Sequence, residues 1–386
     1  MAGIRGMDVA ALLVAVALSG AASAARAADL RCPSGSRLVG DPPPAGDKQW
    51  CVYRAADGQF VAHGPTAEYH PGGALKLTGS FDRGRRDGRW VEYEPNGAIR
   101  VDSTWRNDVL SGPYVGFTDD GTRLEGEFAQ GQRTGTWRFY DAGGALVAEG
   151  GFQGDRRHGK WVIRDEGGGR FEGRYAAGQK VGVWGAWYAS GKKRAEGEYR
   201  DDLRHGPWKE YGEDGALVAR GSYERDRRSG RWSLFGAGGR GEASGKLVDG
   251  VREGPWVESD EEGVRLEGDY RGGVRVGAWA RFGADGVLVS RGEYRDDRPN
   301  GAWTFYFPDG KVEAEGFYLD GEKSGAWVEY TTFRARGEGR YERGQREGRW
   351  VYYYPAGTKW SEGVYAHGEK VGEWPVWFED GRVGAR

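Results

Sequence analysis

Long apolar runs are almost absent from this chain, and leucine, isoleucine and methionine are all thin. So little aliphatic material excludes a large three-dimensional core. Cysteine occurs only twice, with no C-x-x-C pair and no neighbouring histidine, so redox and zinc chemistry have no motif there. No block of one charge sign occurs either. The formal net charge is −2, with Lys/Arg and Asp/Glu mixed throughout. That mixture reads as solvated surface and disfavours nucleic acid and other polyelectrolyte partners.

The one apolar run is near the start. Val9 to Leu18 follows Arg5 and precedes an A-x-A site at Ala25-Arg26-Ala27. This reads as a signal peptide over residues 1–28, too short to span a bilayer comfortably. A cleaved signal is the expectation and an uncleaved anchor the alternative. The chain is then exported, to the periplasm, the cell surface or the medium. In an exported chain two nearby cysteines pair, so Cys32 and Cys51 are expected to staple an N-terminal cap over residues 29–62.

Glycine, tryptophan and tyrosine are plentiful, with 70, 17 and 20 copies, and they are periodic. From Gly64 to Gly372 a glycine returns every 23 or 24 residues, and twelve of the fourteen carry Trp two residues later. Thr66 and Tyr114 fill the other two places. A fixed period of this size marks a repeat array, in which each unit buries surface only against its neighbours. The expected fold is all-β: an elongated array of about fourteen β-hairpins over residues 63–386, forming one long twisted antiparallel sheet.

The unit at Gly206 shows the reading. Trp208 to Tyr211 is one strand and Leu217 to Tyr223 the returning one. Asp214-Gly215 between them predicts a two-residue type I′ turn. The turn glycine fails only in the unit at Gly325, which has Arg334 instead. Gly or Asp also recurs in the link to the next repeat, as at Gly131, Asp202, Asp226 and Asp297. Counting outward from the turn pairs Trp208 with Gly221, Trp137 with Gly150 and Trp303 with Gly316. Each ring is expected to lie over the bare backbone of its glycine. Gly206 pairs with Tyr223 by the same rule. The 23-residue units are one residue short in the hairpin, and the pairing rule there predicts a different loop or a bulge.

A second aromatic row falls on the opposite face, by the period of two. It comprises Tyr93, Tyr140, Trp187, Tyr211, Phe235, Phe282, Tyr306, Tyr330, Tyr353 and Trp377. This row is the candidate binding surface, with packing between neighbouring strands as the plainer alternative. Glutamate recurs just before the strand glycine at Glu125, Glu149, Glu172, Glu196, Glu267, Glu315, Glu338 and Glu362. Such a ladder predicts facing Lys or Arg.

The pattern Gly-x-Trp-x-x-Tyr, then Asp-Gly, then Glu-Gly-x-Tyr resembles the MORN repeat over roughly residues 60–386. The bacterial variant labelled as an antitoxin family is the nearest form. The units from Gly182 and from Gly301 carry the likeness best. The resemblance implies successive β-hairpins and a scaffold, with protein contact or membrane-lipid contact. The antitoxin label implies a toxin partner.

Catalysis needs one unrepeated constellation, and none stands out. His63, His158 and His205 precede repeat-start glycines, and paired acids such as Asp201-Asp202 fall in links. No catalytic, metal or cofactor-binding residue is assigned. The expectation is a non-enzymatic scaffold with a protein partner. The alternative is a carbohydrate, cell-wall or lipid-headgroup binder that uses its repeated rings.

Overall fold

A computed structural model describes residues 30–236 and 241–384. The expected signal segment, residues 1–28, lies outside the described residues. Among the described residues there are thirty strands and no helix. The chain forms the expected all-β array of successive antiparallel hairpins. It divides into two units. The first runs to Gly191 and includes Arg200–Asp202, and the second holds 192–199 and everything from Leu203. In the first unit, strands pair in chain order from Arg37–Val39 to Gln179–Trp187, always antiparallel. In the second they do so from Leu203–Tyr211 to Glu369–Val371. At the start of the first unit, Cys32 and Cys51 form a disulfide.

The hairpin turn departs from the sequence expectation, while the link positions are left-handed as expected. At Asp214-Gly215 only the glycine has positive φ, +92°. Gly215 N–H donates to Gly212 O at 2.9 Å and Gly212 N–H to Ala216 O at 2.8 Å. This is a longer loop, and it is followed by a register shift at Glu210/Tyr211. The tight two-residue turns are the links. Arg225 (φ 49°) and Asp226 (φ 67°) are both left-handed, as are Asp201-Asp202 and Asp296-Asp297. Two consecutive positive φ values define type I′, whose twist matches that of the flanking strands. Asp214 keeps an ordinary conformation because its Oδ1 accepts the Ala216 N–H at 2.9 Å, closing a local turn. In the unit at Gly325, Arg334 takes the left-handed place of the missing glycine, with φ 66°.

The bulge also lies where it was not expected. The 23-residue units beginning at Gly112, Gly159, Gly254 and Gly325 pair without a shift across the hairpin. Trp161 still meets Gly173, and Trp327 meets Gly339. The 24-residue units at Gly135, Gly206, Gly277, Gly301 and Gly348 carry the shift. The extra residue is the bulge, so the shorter unit is the regular one.

Two sets of glycines serve two purposes. The repeat-start glycines all have positive φ. Gly150 faces Trp161 and Gly151 faces His158, so Gly159 and Lys160 are skipped. Gly159, at φ 72°, is the residue that lets the chain turn through this bulge. The strand glycines instead make room. A Cβ on Gly150 would sit within the Trp161 ring, one on Gly221 within Trp232, and one on Gly316 within Trp327.

This corrects the expected ring placement. Trp137↔Gly150, Trp208↔Gly221 and Trp303↔Gly316 are register pairs, as counted from the sequence. Each ring nevertheless leans the other way, onto the glycine of the strand before it. Trp137 lies on Gly126, Trp208 on Gly197 and Trp303 on Gly292. The indole N–H explains the direction. Trp161 Nε1 donates to Gly151 O at 2.9 Å and Trp256 Nε1 to Lys246 O at 3.1 Å, both at register shifts. Gly206 does pair with Tyr223, but that ring does not rest on it.

The core is therefore a line of rings. Tyr223 stands edge-on between Trp208 and Trp232, at 5.7 and 5.2 Å. The same alternation runs from Trp256 through Tyr270, Trp279, Tyr294 and Trp303 to Tyr318. Trp161, Trp232, Trp256, Trp327 and Trp350 are at most 1% exposed. At ~25 cal/mol per Å², burying about 200 Å² of ring contributes roughly 5 kcal/mol gross per Trp. That compensates for the scarcity of aliphatic residues.

Candidate interaction surfaces

The face opposite the tryptophans carries the second aromatic row. All ten expected positions, from Tyr93 to Trp377, are half-buried. Across the ladder Tyr140 faces Arg123, Trp187 faces Arg170, Phe282 faces Arg265 and Tyr353 faces Arg336. Each guanidinium lies over its ring, 4.0–4.5 Å from the centroid. The hydroxyls are engaged too. Tyr140 donates to Glu125 at 3.2 Å, Tyr211 to Glu196 at 3.1 Å and Tyr353 to Glu338 at 2.8 Å. Burial first, then the Glu196 carboxylate, raises the Tyr211 phenol above its ordinary value.

The glutamate ladder meets its cations. Glu149 pairs with Arg138, Glu172 with Arg170, Glu267 with Arg265, and Glu196 with Lys193. Sequence reading missed the arginine that covers each ring. Its signal was present as the tetrapeptide Arg-x-Glu-Gly, at 123, 170, 265 and 336, with a fifth copy at 194. The first four belong to the four 23-residue units, in which the arginine is carried across the regular hairpin to the next ring.

The link turns form a third repeated feature. Asp155 Oδ1 accepts the backbone N–H and the Nε–H of Arg133, both at 3.0 Å, from the link one repeat earlier. Asp226 holds Arg204, and Asp297 holds Arg275, in the same way. The Arg133 backbone N–H, then its guanidinium, keeps the Asp155 carboxyl below the usual carboxylate range. This is a turn-to-turn clasp.

On the tryptophan face the second unit contains three acid–base clusters. Glu329 accepts from Lys323 (2.8 Å), Tyr341 (2.8 Å) and Arg346 (2.7 Å). Burial opposes ionisation of Glu329, but these bonds outweigh it and hold its pKa down. Burial and the Glu329 hydrogen bond push the Tyr341 phenol up to about 12. Glu210 with Tyr223 and Arg228, and Glu258 with Tyr270 and Arg252, repeat the cluster. Both carboxylate oxygens of Glu210 and Glu329, and Oε1 of Glu258, are occupied by the fold itself. His63 lies 3.3 Å from Asp82, and His70 bonds to Tyr93 O. Among the described residues, no three His, Cys, Asp or Glu side chains are placed to hold a metal ion.

Fold and surface together define a β-hairpin repeat array whose units are cross-linked by rings, ion pairs and turn clasps. The family model described as MORN repeat variant matches residues 204–225, 299–320 and 346–367. In these three stretches the chain carries repeats of the MORN variant type. Each matched stretch runs through a 24-residue unit and contains its bulge glycine, core Trp and loop glycine. No curated protein matches the chain. Among solved structures, the crystal structure of BamB from Moraxella catarrhalis is similar at 13% identity. That likeness covers 79% of this chain and 92% of that one, with a TM-score of 0.14, too low to bear on fold or function.

Proposed function

We propose that this chain is an exported, non-enzymatic scaffold that holds a protein partner at the cell envelope or outside the cell. The observation that carries this reading is the repetition of side chains on the open sheet. Aromatic positions recur about every second strand, roughly 10 Å apart at ~4.8 Å per strand, with Glu beside most of them and a covering Arg in the four 23-residue units, which suits an extended or multivalent partner. The disulfide is in keeping with export. Rings covered by Arg123, Arg170, Arg265 and Arg336 have little face left for sugars or quaternary ammonium. That favours a protein partner over a glycan. The mixed charge pattern favours neither nucleic acid nor a purely anionic surface.

Two measurements test the proposal. N-terminal sequencing of the protein recovered from the periplasm or medium is expected to begin at about residue 28 or 29, as the small-residue cleavage rule implies. An uncleaved, cytoplasmic chain would remove the export reading. Tagged full-length chain is also used to capture protein from envelope extract, beside the variant Tyr211→Ala/Tyr306→Ala/Tyr330→Ala. A partner lost from the folded variant supports a contact role for the row. A variant that loses folding cooperativity with capture unchanged assigns the row to packing.

A further inference from the structure

On the tryptophan face of the first unit, one row of side chains is apolar without a break. Val101 pairs with Gly116, Gly116 with Leu124, Leu124 with Phe139, Phe139 with Ala148, Ala148 with Ile163, Ile163 with Phe171, and Phe171 with Ala186. Among the described residues, the strands of this unit pack against neighbours in the same sheet, with no second layer over the row. The larger members, Leu124, Phe139, Ile163 and Phe171, stay half-buried on an open face.

The second unit shows what this position holds elsewhere. Ile163 is the equivalent of Glu258 and Glu329. Those glutamates bind the arginine or lysine six residues earlier and the tyrosine twelve residues later. The first unit retains both partners without the acid. Arg157 donates to the Tyr175 hydroxyl at 3.1 Å, as Arg252 does to Tyr270 at 2.8 Å. Arg157 has no carboxylate partner among the described residues. An apolar residue thus stands where the surrounding side chains are set for a glutamate.

We infer that this band is a face-to-face interface between two copies of the chain. It crosses eight strands, about 34 Å at ~4.8 Å spacing, and with the adjoining ring rows is about 14 Å wide. That is a footprint of roughly 500 Å² per copy and 1,000 Å² in total, the lower limit of a specific interface. The side chains of the central row carry no charge or polar group, while the Tyr114 hydroxyl lies over Gly116 and Arg133, Arg157 and Lys180 lie over the adjoining rings; an uncharged row matches its own copy, and two sheets stack well through such faces. The turns favour one arrangement. In this unit the hairpin loops at 94–97, 118–121, 141–144 and 165–168 carry six acids and no Lys or Arg. The links at 83–86, 106–109, 130–133 and 154–157 carry seven arginines against two aspartates. A two-fold axis along the stacking direction lays the basic edge of one copy over the acidic edge of the other. The inference is independent of the scaffold reading, since it concerns the chain alone.

Sedimentation velocity on purified full-length protein tests it, from about 1 to 100 µM, the range an interface of minimal size implies. A reversible dimer is expected, weakened by salt. Ile163→Glu puts a carboxylate beside Arg157 and Tyr175, so the fold accepts it, and it is expected to leave only monomer with an unchanged melting temperature. Phe139→Glu copies the place of Glu210 and provides a second variant. Val183→Glu, on the opposite face and 65% exposed, is expected to keep the dimer. A wild-type chain that stays monomeric throughout, a dimer that survives both glutamates, or one that tightens with salt overturns the proposal.

Discussion

Gly150 and Gly159 stand in neighbouring strands and are irreplaceable for different reasons. A methyl on Gly150 would occupy the Trp161 ring position, so the indole must leave its bed and lose its bond to Gly151 O. Gly159 has open space around it but sits at φ 72°. We expect Gly150→Ala to cost about 3 kcal/mol in urea unfolding, the upper range for overpacking, with a red-shifted tryptophan emission. Gly159→Ala should cost only about 1–2 kcal/mol, the left-handed penalty, with emission unchanged. Equal costs and equal spectra would show that the ring bed is not specific. The clasp carboxylates add an acid limit. Asp108, Asp155, Asp297 and Glu329 all titrate below their ordinary range in the folded chain. A depressed folded pKa contributes stability that is complete above the unfolded value, about 4, and is lost as pH falls through the folded value. The melting temperature is expected to hold from pH 7 to about 5 and then fall, and Asp155→Asn should flatten that fall.

At the scale of the element, the two turns make opposite demands. Arg343 is left-handed in a link, at φ 48°, where Asn-Gly is the favoured pair. Arg343→Asn is expected to stabilise by about 0.5–1 kcal/mol, from the relief of a left-handed side chain. Asp214→Asn, in the longer loop, should give no gain, because Asp214 is not left-handed and already accepts Ala216 N–H. Denaturant midpoints of the two variants distinguish the turns, and a gain at Asp214 alone would reverse the assignment. This pair also marks the limit of what was legible. Asp-Gly fits both a type I′ turn and the loop found here, since only its glycine must be left-handed in the latter. Position-counting gave the right partners for Trp208 and Gly221, because the loop and the bulge at Glu210/Tyr211 together set the same register as a two-residue turn centred on Asp214-Gly215. It could not give the lean of the ring, which depends on a carbonyl at a bulge one strand back. The covering arginines were written as Arg-x-Glu-Gly, but their meaning required the strand order. In the first unit, the apolar row was hidden because Leu124, Phe139, Ile163 and Phe171 lie far apart in sequence and meet only across ladders.

For the whole molecule, the relevant physics is that of neighbours. Most repeats are held to the one before by a Trp on a glycine and an indole bond, with a turn clasp where the link carries Asp108, Asp155, Asp202, Asp226 or Asp297, so a disturbance should fade over a few repeats. The disulfide gives a place to apply one. Cys32 and Cys51 are separated by 19 residues, and closing a loop of that size contributes about 3 kcal/mol in the chain-entropy account. The cap it holds fills the place that rings take elsewhere. Pro33 and Cys51 pack over Gly64, Thr66 Oγ1 donates to Gln49 O, and Leu30 packs on the cluster of Ala67, Tyr69 and Leu75. Replacing both cysteines with serine is therefore expected to speed amide exchange over strands Lys48–Arg54 to Gly88–Tyr93. Exchange should stay unchanged in strands Leu217–Glu224 to Lys359–Ala366, where ring contacts, ion pairs and the Asp297 clasp sustain the sheet without a disulfide. Peptide-resolved hydrogen exchange reads the two regions in one sample. Uniform loss of protection along the chain would mean that the array unfolds as a single cooperative body, and that stability is not a sum of neighbour terms.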